Sequence, residues 1–235
     1  MSKDNFMKNE QGNVLFLILI AVALFAALSY AVTSSTRSGG GDAGSESNLI
    51  SSAQITQYPA SVNTAIMRMV VSGTSVSEIR FNRPSEFGTL DSTSIGVFHP
   101  AGGGANYIKA PADIMVSGNP GDWTFNGGLE VPQIGLAGAN GGNDIIAYLV
   151  GIKSAICSKI NEKYALPTTP PVLTADRSAL FNTRMYDNGT TDYVLPVTDQ
   201  PDIADATNAF DGQPFGCFQN PTTNDYVYYH VIVDR

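Results

Sequence analysis

Val14 to Val32 reads VLFLILIAVALFAALSYAV, nineteen residues with no charge, no proline and no glycine. As a helix rising about 1.5 Å per residue, the run covers roughly 28 Å, close to the hydrocarbon thickness of a bilayer. Tyr30 sits where an interfacial aromatic would. The competing reading is a buried core helix, which an uncharged run this close to Met1 disfavours. The segment reads as membrane-targeting.

Charge supports that reading. The chain of 235 residues has a net charge of −8, from 13 basic and 21 acidic side chains. Residues 1–37 hold Lys3, Lys8 and Arg37 against Asp4 and Glu10, a net +1, which leaves −9 on the remainder. A slightly basic head before a long acidic body suits an anchored extracytoplasmic protein and speaks against a nucleic-acid partner, which calls for a basic face. Hydrophobic content of 43% is enough for a real core.

Three fates are open to the apolar run. As a permanent anchor it would keep Lys3 and Lys8 in the cytoplasm. As a secretory signal it would be cut after Ala31, where Ser29-Tyr30-Ala31 offers small residues at −3 and −1, although the run exceeds the usual signal core. The third fate follows from the prefix MSKDNFMKNEQG, a polar leader that ends in Gly12 directly before the run.

A basic leader, a glycine and some twenty apolar residues resemble the prepilin leader of type IV pilins and type II secretion pseudopilins. The resemblance covers about 35 residues. It implies cleavage between Gly12 and Asn13 by a prepilin peptidase, and an apolar helix that enters a filament core beside other pilin-like subunits. It places the chain in a bacterial inner membrane as a single pass, with the C-terminal domain periplasmic or extracellular. The glutamate usual at the fifth mature position is Leu17 here, which points to a minor subunit. The alternative is a single-pass anchored binding module with no filament role.

The expected organisation is a leader over 1–12, a transmembrane helix over 13–32, a Gly/Ser-rich linker over 33–48 and an α+β extracytoplasmic domain over 49–235. In that domain, helices pack on an antiparallel sheet. Gly39-Gly40-Gly41 makes the linker either a tether or an interrupted helix. Ile55, Tyr58, Val62, Ile66 and Met69 then share one helical face, with Ser47 or Asn48 as cap, Pro59 as a kink or break, and Gly73 as stop. Residues 82–142 predict short strands and long loops. GLAGANGGND, residues 135–144, lacks both phosphate-loop spacings and reads as a loop ending in a helix cap at Asn143 or Asp144. Ile145, Leu149, Ile152, Ile156, Ile160 and Tyr164 predict one long helix through residues 144–166. Phe215–Phe218 and Tyr226–Val233 predict a terminal hairpin whose second strand, YVYYHVIV, is central and covered on both faces.

Two cysteines, Cys157 and Cys217, are an even count, which in an exported domain suggests one disulfide. Two buried thiols are the alternative. The pilin resemblance also implies a C-terminal staple. A zinc site lacks further ligands, since His99 and His230 have no suitable spacing with the cysteines. No nucleophile elbow accompanies either histidine and no carboxylate pair stands out, so the chain reads as a non-enzyme without cofactors. The resemblance also raises calcium, because some pseudopilins bind it in C-terminal loops. Asp187 and Asp192, and the cluster Asp199, Asp202 and Asp205, are the candidates. Neither stretch fits an EF-hand, and solvated turn residues are the default reading.

Overall fold

A computed structural model describes residues 11–38, 43–135, 143–188 and 201–235. The chain divides into two compact units, residues 1–47 and residues 48–235. In the first unit, helix α1 spans Gln11–Ser38, beyond the predicted end at Val32. Leu and Ala are strong helix formers, Ile and Phe give up some side-chain freedom there, and no proline or glycine interrupts the run from Val14 to Val32.

Helix α2, Ala43–Val71, carries Pro59 in its interior and is not divided there. The missing proline amide removes one ladder bond, while the apolar stripe on either side of it is held by the core. Ser47 and Asn48 therefore lie within the helix rather than at its cap. The end falls as expected. Gly73 takes φ +99, with Gly73 N donating to Val70 O and Thr74 N to Met69 O, both at 3.0 Å. This is the paired closure of a Schellman motif. Short 3₁₀ turns follow at Val76–Glu78, Pro84–Thr89 and Thr93–Ile95.

Strand β1 is Trp123–Asn126, β2 Ile145–Ile152, β3 Phe215–Gln219 and β4 Tyr226–Val233, with helices α3 (Ser154–Lys163) and α4 (Ser178–Phe181) between β2 and β3. The sheet is antiparallel throughout, in the order β1-β2-β4-β3. β4 is internal and covered on both faces, as its composition predicts.

The long helix predicted over 144–166 is a correction. Its first half is strand β2, and helix begins only at Ser154. IIAYLVGI is apolar at every position, so a three-or-four spacing can be drawn through it without meaning helix. Its β-branched and aromatic content fits a strand buried on both faces. Gly151, the last residue but one of the strand, takes φ +80, a conformation costly for other residues, at a register shift against β4. Neither Asn143 nor Asp144 caps a helix. The Asn143 amide donates to Gly127 O, and Asp144 accepts two backbone amides.

Alternation along the strands divides the core. One face carries Trp123, Phe125, Ala147, Leu149, Tyr228 and Ile232, packed in one cluster with Ile55, Val62, Ile66 and Met69 of α2 and Ile156 and Ile160 of α3. The Asn63 side-chain amide donates to Ile232 O, tying α2 to β4. The other face carries Ile146, Tyr148, Val227, Tyr229 and Phe218 under Phe181, Ile203 and Phe210.

Candidate functional site

The two long helices treat their apolar residues in opposite ways. α2 buries its stripe, with Val62 and Ile66 at 0% exposure. The large apolar side chains of α1 between Val14 and Val32 are all exposed, from 39% at Ile20 to 72% at Phe25. Tyr30 stands out furthest, at 78%. A helix apolar on every side has no stable place in water. Val14–Ser34, 21 residues, is long and apolar enough to cross a membrane. Its polar end is compatible with that. Thr33 Oγ1 donates to Ser29 O at 2.7 Å and Ser34 Oγ to Ala31 O at 3.0 Å, so both hydroxyls spend their protons inside the helix. Gly12 and Asn13 fall in the first turn of α1, and Leu17 lies exposed in the next turn.

The disulfide is formed. Cys157 of α3 bonds Cys217 of β3, with Cα atoms 5.4 Å apart and both residues fully buried.

Buried asparagines hold the long loops by imitating backbone. Asn82 Nδ2 donates to Asp187 O at 2.8 Å, and Asn82 Oδ1 accepts from Asp187 N at 3.0 Å. Asn126 donates to Leu180 O and Thr183 O and accepts from Gly128 N. Asn220 bonds Asp176, Thr223 and Arg177 N. All three are 0% exposed. Their partners lie up to 105 residues away in sequence, so no local pattern marks them.

Asp187, a calcium candidate from sequence, is instead fully buried. Its Oδ1 takes the Arg80 Nε proton at 2.6 Å and its Oδ2 accepts from Asp91 N at 3.2 Å. Its oxygens serve an ion pair rather than a solvated loop. Asp205 is committed as well, with one oxygen on Thr207 and the other on Ala209 N. Asp192 and Asp199 lie outside the described residues. Among the described residues no group of three or more His, Cys, Asp or Glu could hold a metal ion.

A second charged cluster lies at the surface. Asp122 receives Lys109 Nζ at 3.0 Å, Arg83 Nη1 at 3.2 Å and the Tyr107 hydroxyl at 3.0 Å. Glu86 receives both terminal nitrogens of Arg184, at 2.8 and 2.6 Å. Burial works against the Asp122 charge, but Lys109, Arg83 and Tyr107 outweigh it and hold the carboxyl below its ordinary range. The Arg184 hydrogen bonds do the same for Glu86. Burial pushes Tyr107 up to about 12.

Two clefts of about 420 Å³ each open on the second unit. One is apolar, lined by Ile55, Tyr58, Ile108 and Trp123. The other is polar, lined by Arg68, Ser72, Glu78 and Ser94. Neither histidine lines either cleft. His99 packs edge-on against Phe87 and accepts from Ala101 N at 3.1 Å. His230 shares a 2.8 Å hydrogen bond with the Tyr228 hydroxyl. Burial lowers its pKa to about 4, which keeps the ring neutral.

Comparison with protein-family models, with curated proteins and with solved structures finds no match to this chain.

Proposed function

We propose that this chain is a pilin-like or pseudopilin-like subunit of a bacterial envelope filament or secretion system, a minor one that acts by assembly. The observation that carries the reading is the contrast between α1 and α2. α2 spends its apolar stripe on the sheet ending in the C-terminal hairpin, whereas α1 keeps a 21-residue apolar surface unspent. A bilayer satisfies such a surface, and so does a bundle of like helices. Transfer between the two loses no apolar burial, so the surface permits extraction from the membrane into a filament. The disulfide fits an oxidising compartment outside the cytoplasm. With Leu17 where the family carries a glutamate, side-chain shape rather than charge pairing would set the register between helices. Partners on this reading are the membrane, other pilin-like subunits and a prepilin peptidase.

A photo-crosslinking side chain placed along α1 from Val14 to Leu28, one position per variant, tests it by ultraviolet cross-linking to neighbouring subunits in native membranes. Cross-linked species recurring every three to four positions are expected. Uncrosslinked monomer at every position would overturn the reading in favour of an anchored module.

A further inference from the structure

The apolar cleft of about 420 Å³ lies wholly within the second unit, between α2 and the 108–111 segment, with Trp123 of β1 also lining it. Trp123 is 2% exposed, yet its indole N–H has no acceptor among the described residues. The nitrogen is not sealed from solvent. Buried indole N–H groups ordinarily find a partner, and the cleft is where this one can meet it. Tyr58 packs on Trp123 with ring centroids 5.2 Å apart. Its hydroxyl accepts from Ile108 N at 3.3 Å, which leaves its own proton to give. Ile55, Ala110 and Pro111 supply apolar wall. The one charged residue lining the cleft among the described residues is Lys109, and its ammonium is already paired with Asp122 at 3.0 Å.

We propose that this cleft binds a small uncharged molecule with an apolar body and a carbonyl oxygen, the Trp123 indole N–H donating to that oxygen and the Tyr58 hydroxyl serving as second donor. The size suits such a ligand, since small-molecule sites run from about 300 to 1,000 Å³. The wall sets its charge. With Lys109 spent on Asp122, a carboxylate or an ammonium would give up its water without gaining an unpaired countercharge. A carbonyl gains hydrogen bonds in surroundings where they are stronger than in water. An apolar side chain from a second copy of the chain would leave the indole N–H unmet, which favours the small molecule as occupant. Gln54 and Gln57, exposed on α2 and without side-chain partners among the described residues, give the cleft a polar rim. Binding here does not depend on assembly through α1.

Trp123 is the only tryptophan of the chain, so indole emission and the single indole N–H resonance both report this cleft. The test titrates octanamide into the full chain held in lipid nanodiscs. A saturable change is expected with half-saturation at about 1 mM or below, in keeping with the affinity available to so small a ligand. The indole N–H resonance should move downfield. Octanoate, which has the same chain and a charge, should bind at least about tenfold more weakly. Tyr58→Phe should weaken octanamide about tenfold. Ser61→Phe, an exposed change that fills space in the cleft, should abolish binding, and it reads the site should Tyr58→Phe fail to fold. No saturation, an unmoved indole N–H, octanoate binding as tightly, or binding that survives Ser61→Phe would overturn the proposal. So would an indole shift that appears on raising the protein concentration alone, which would put a second copy in the cleft.

Discussion

The side chain of Asn161 pairs with the backbone of Cys217 as a neighbouring strand would. Asn161 Nδ2 donates to Cys217 O and Cys217 N donates to Asn161 Oδ1, both at 2.9 Å. β3 is an edge of the sheet, and this amide, together with the 171–173 segment bonded at Gln219, blunts it against pairing with other chains. Asn161→Ala removes both bonds, together with a third from Asn161 Nδ2 to Pro167 O at 3.1 Å, and leaves the two buried Cys217 groups without partners. At about 1–3 kcal/mol for each orphaned group, a loss of about 3 kcal/mol is expected in urea unfolding. A loss under about 1 kcal/mol would mean that water replaces the side chain.

The disulfide next to that pair closes a loop of 60 residues. Loop-entropy arithmetic gives about 4 kcal/mol. The double variant Cys157→Ala with Cys217→Ala should lose roughly that amount. Its unfolding should no longer respond to reductant, whereas that of the wild type should.

Arg80 and Asp187 form a buried ion pair, and removing one partner strands the other. Asp187→Ala is expected to lose about 3–5 kcal/mol. In a double-mutant cycle with Arg80→Ala the losses should be far from additive, because the second substitution removes the stranded charge. Additive losses would contradict the pairing.

His230 gives the fold a slope against pH. Its pKa falls from 6.5 to about 4 on folding because burial disfavours the charged ring. The unfolded chain therefore binds this proton first as pH drops. Stability from this group is intact above pH 6.5 and lost as pH falls towards 4. His230→Gln, which keeps a partner for the Tyr228 hydroxyl, should flatten that part of the stability profile. Asp144, whose pKa burial pushes up to about 6, runs in the opposite sense over an overlapping range, so the substitution is read against the wild type at every pH.

How much of this was legible in the sequence differs by element. The apolar run of α1 and the strand YVYYHVIV identify themselves, because composition alone separates a lipid-length helix from a twice-covered strand. β2 does not. Ile145, Leu149 and Ile152 satisfy the helical period, and a run apolar at every position also satisfies a strand buried on two faces. The continuation into a true helix at Ser154 hid the change at Gly151. The asparagine pins were invisible for another reason. Asn82, Asn126 and Asn220 look like turn residues in sequence, Asn161 falls inside a predicted helix, and only the fold brings the distant backbone to them. Asp187 was misread in the same way, as a solvated loop carboxylate, because its partner Arg80 lies 107 residues away.

The intact mass of the protein purified from the membrane fraction tests the assembly reading most directly. A mature chain starting at Asn13 is the predicted result, with the disulfide between Cys157 and Cys217 preserved. A chain that retains Met1 would contradict prepilin processing and leave α1 as a permanent anchor for the domain.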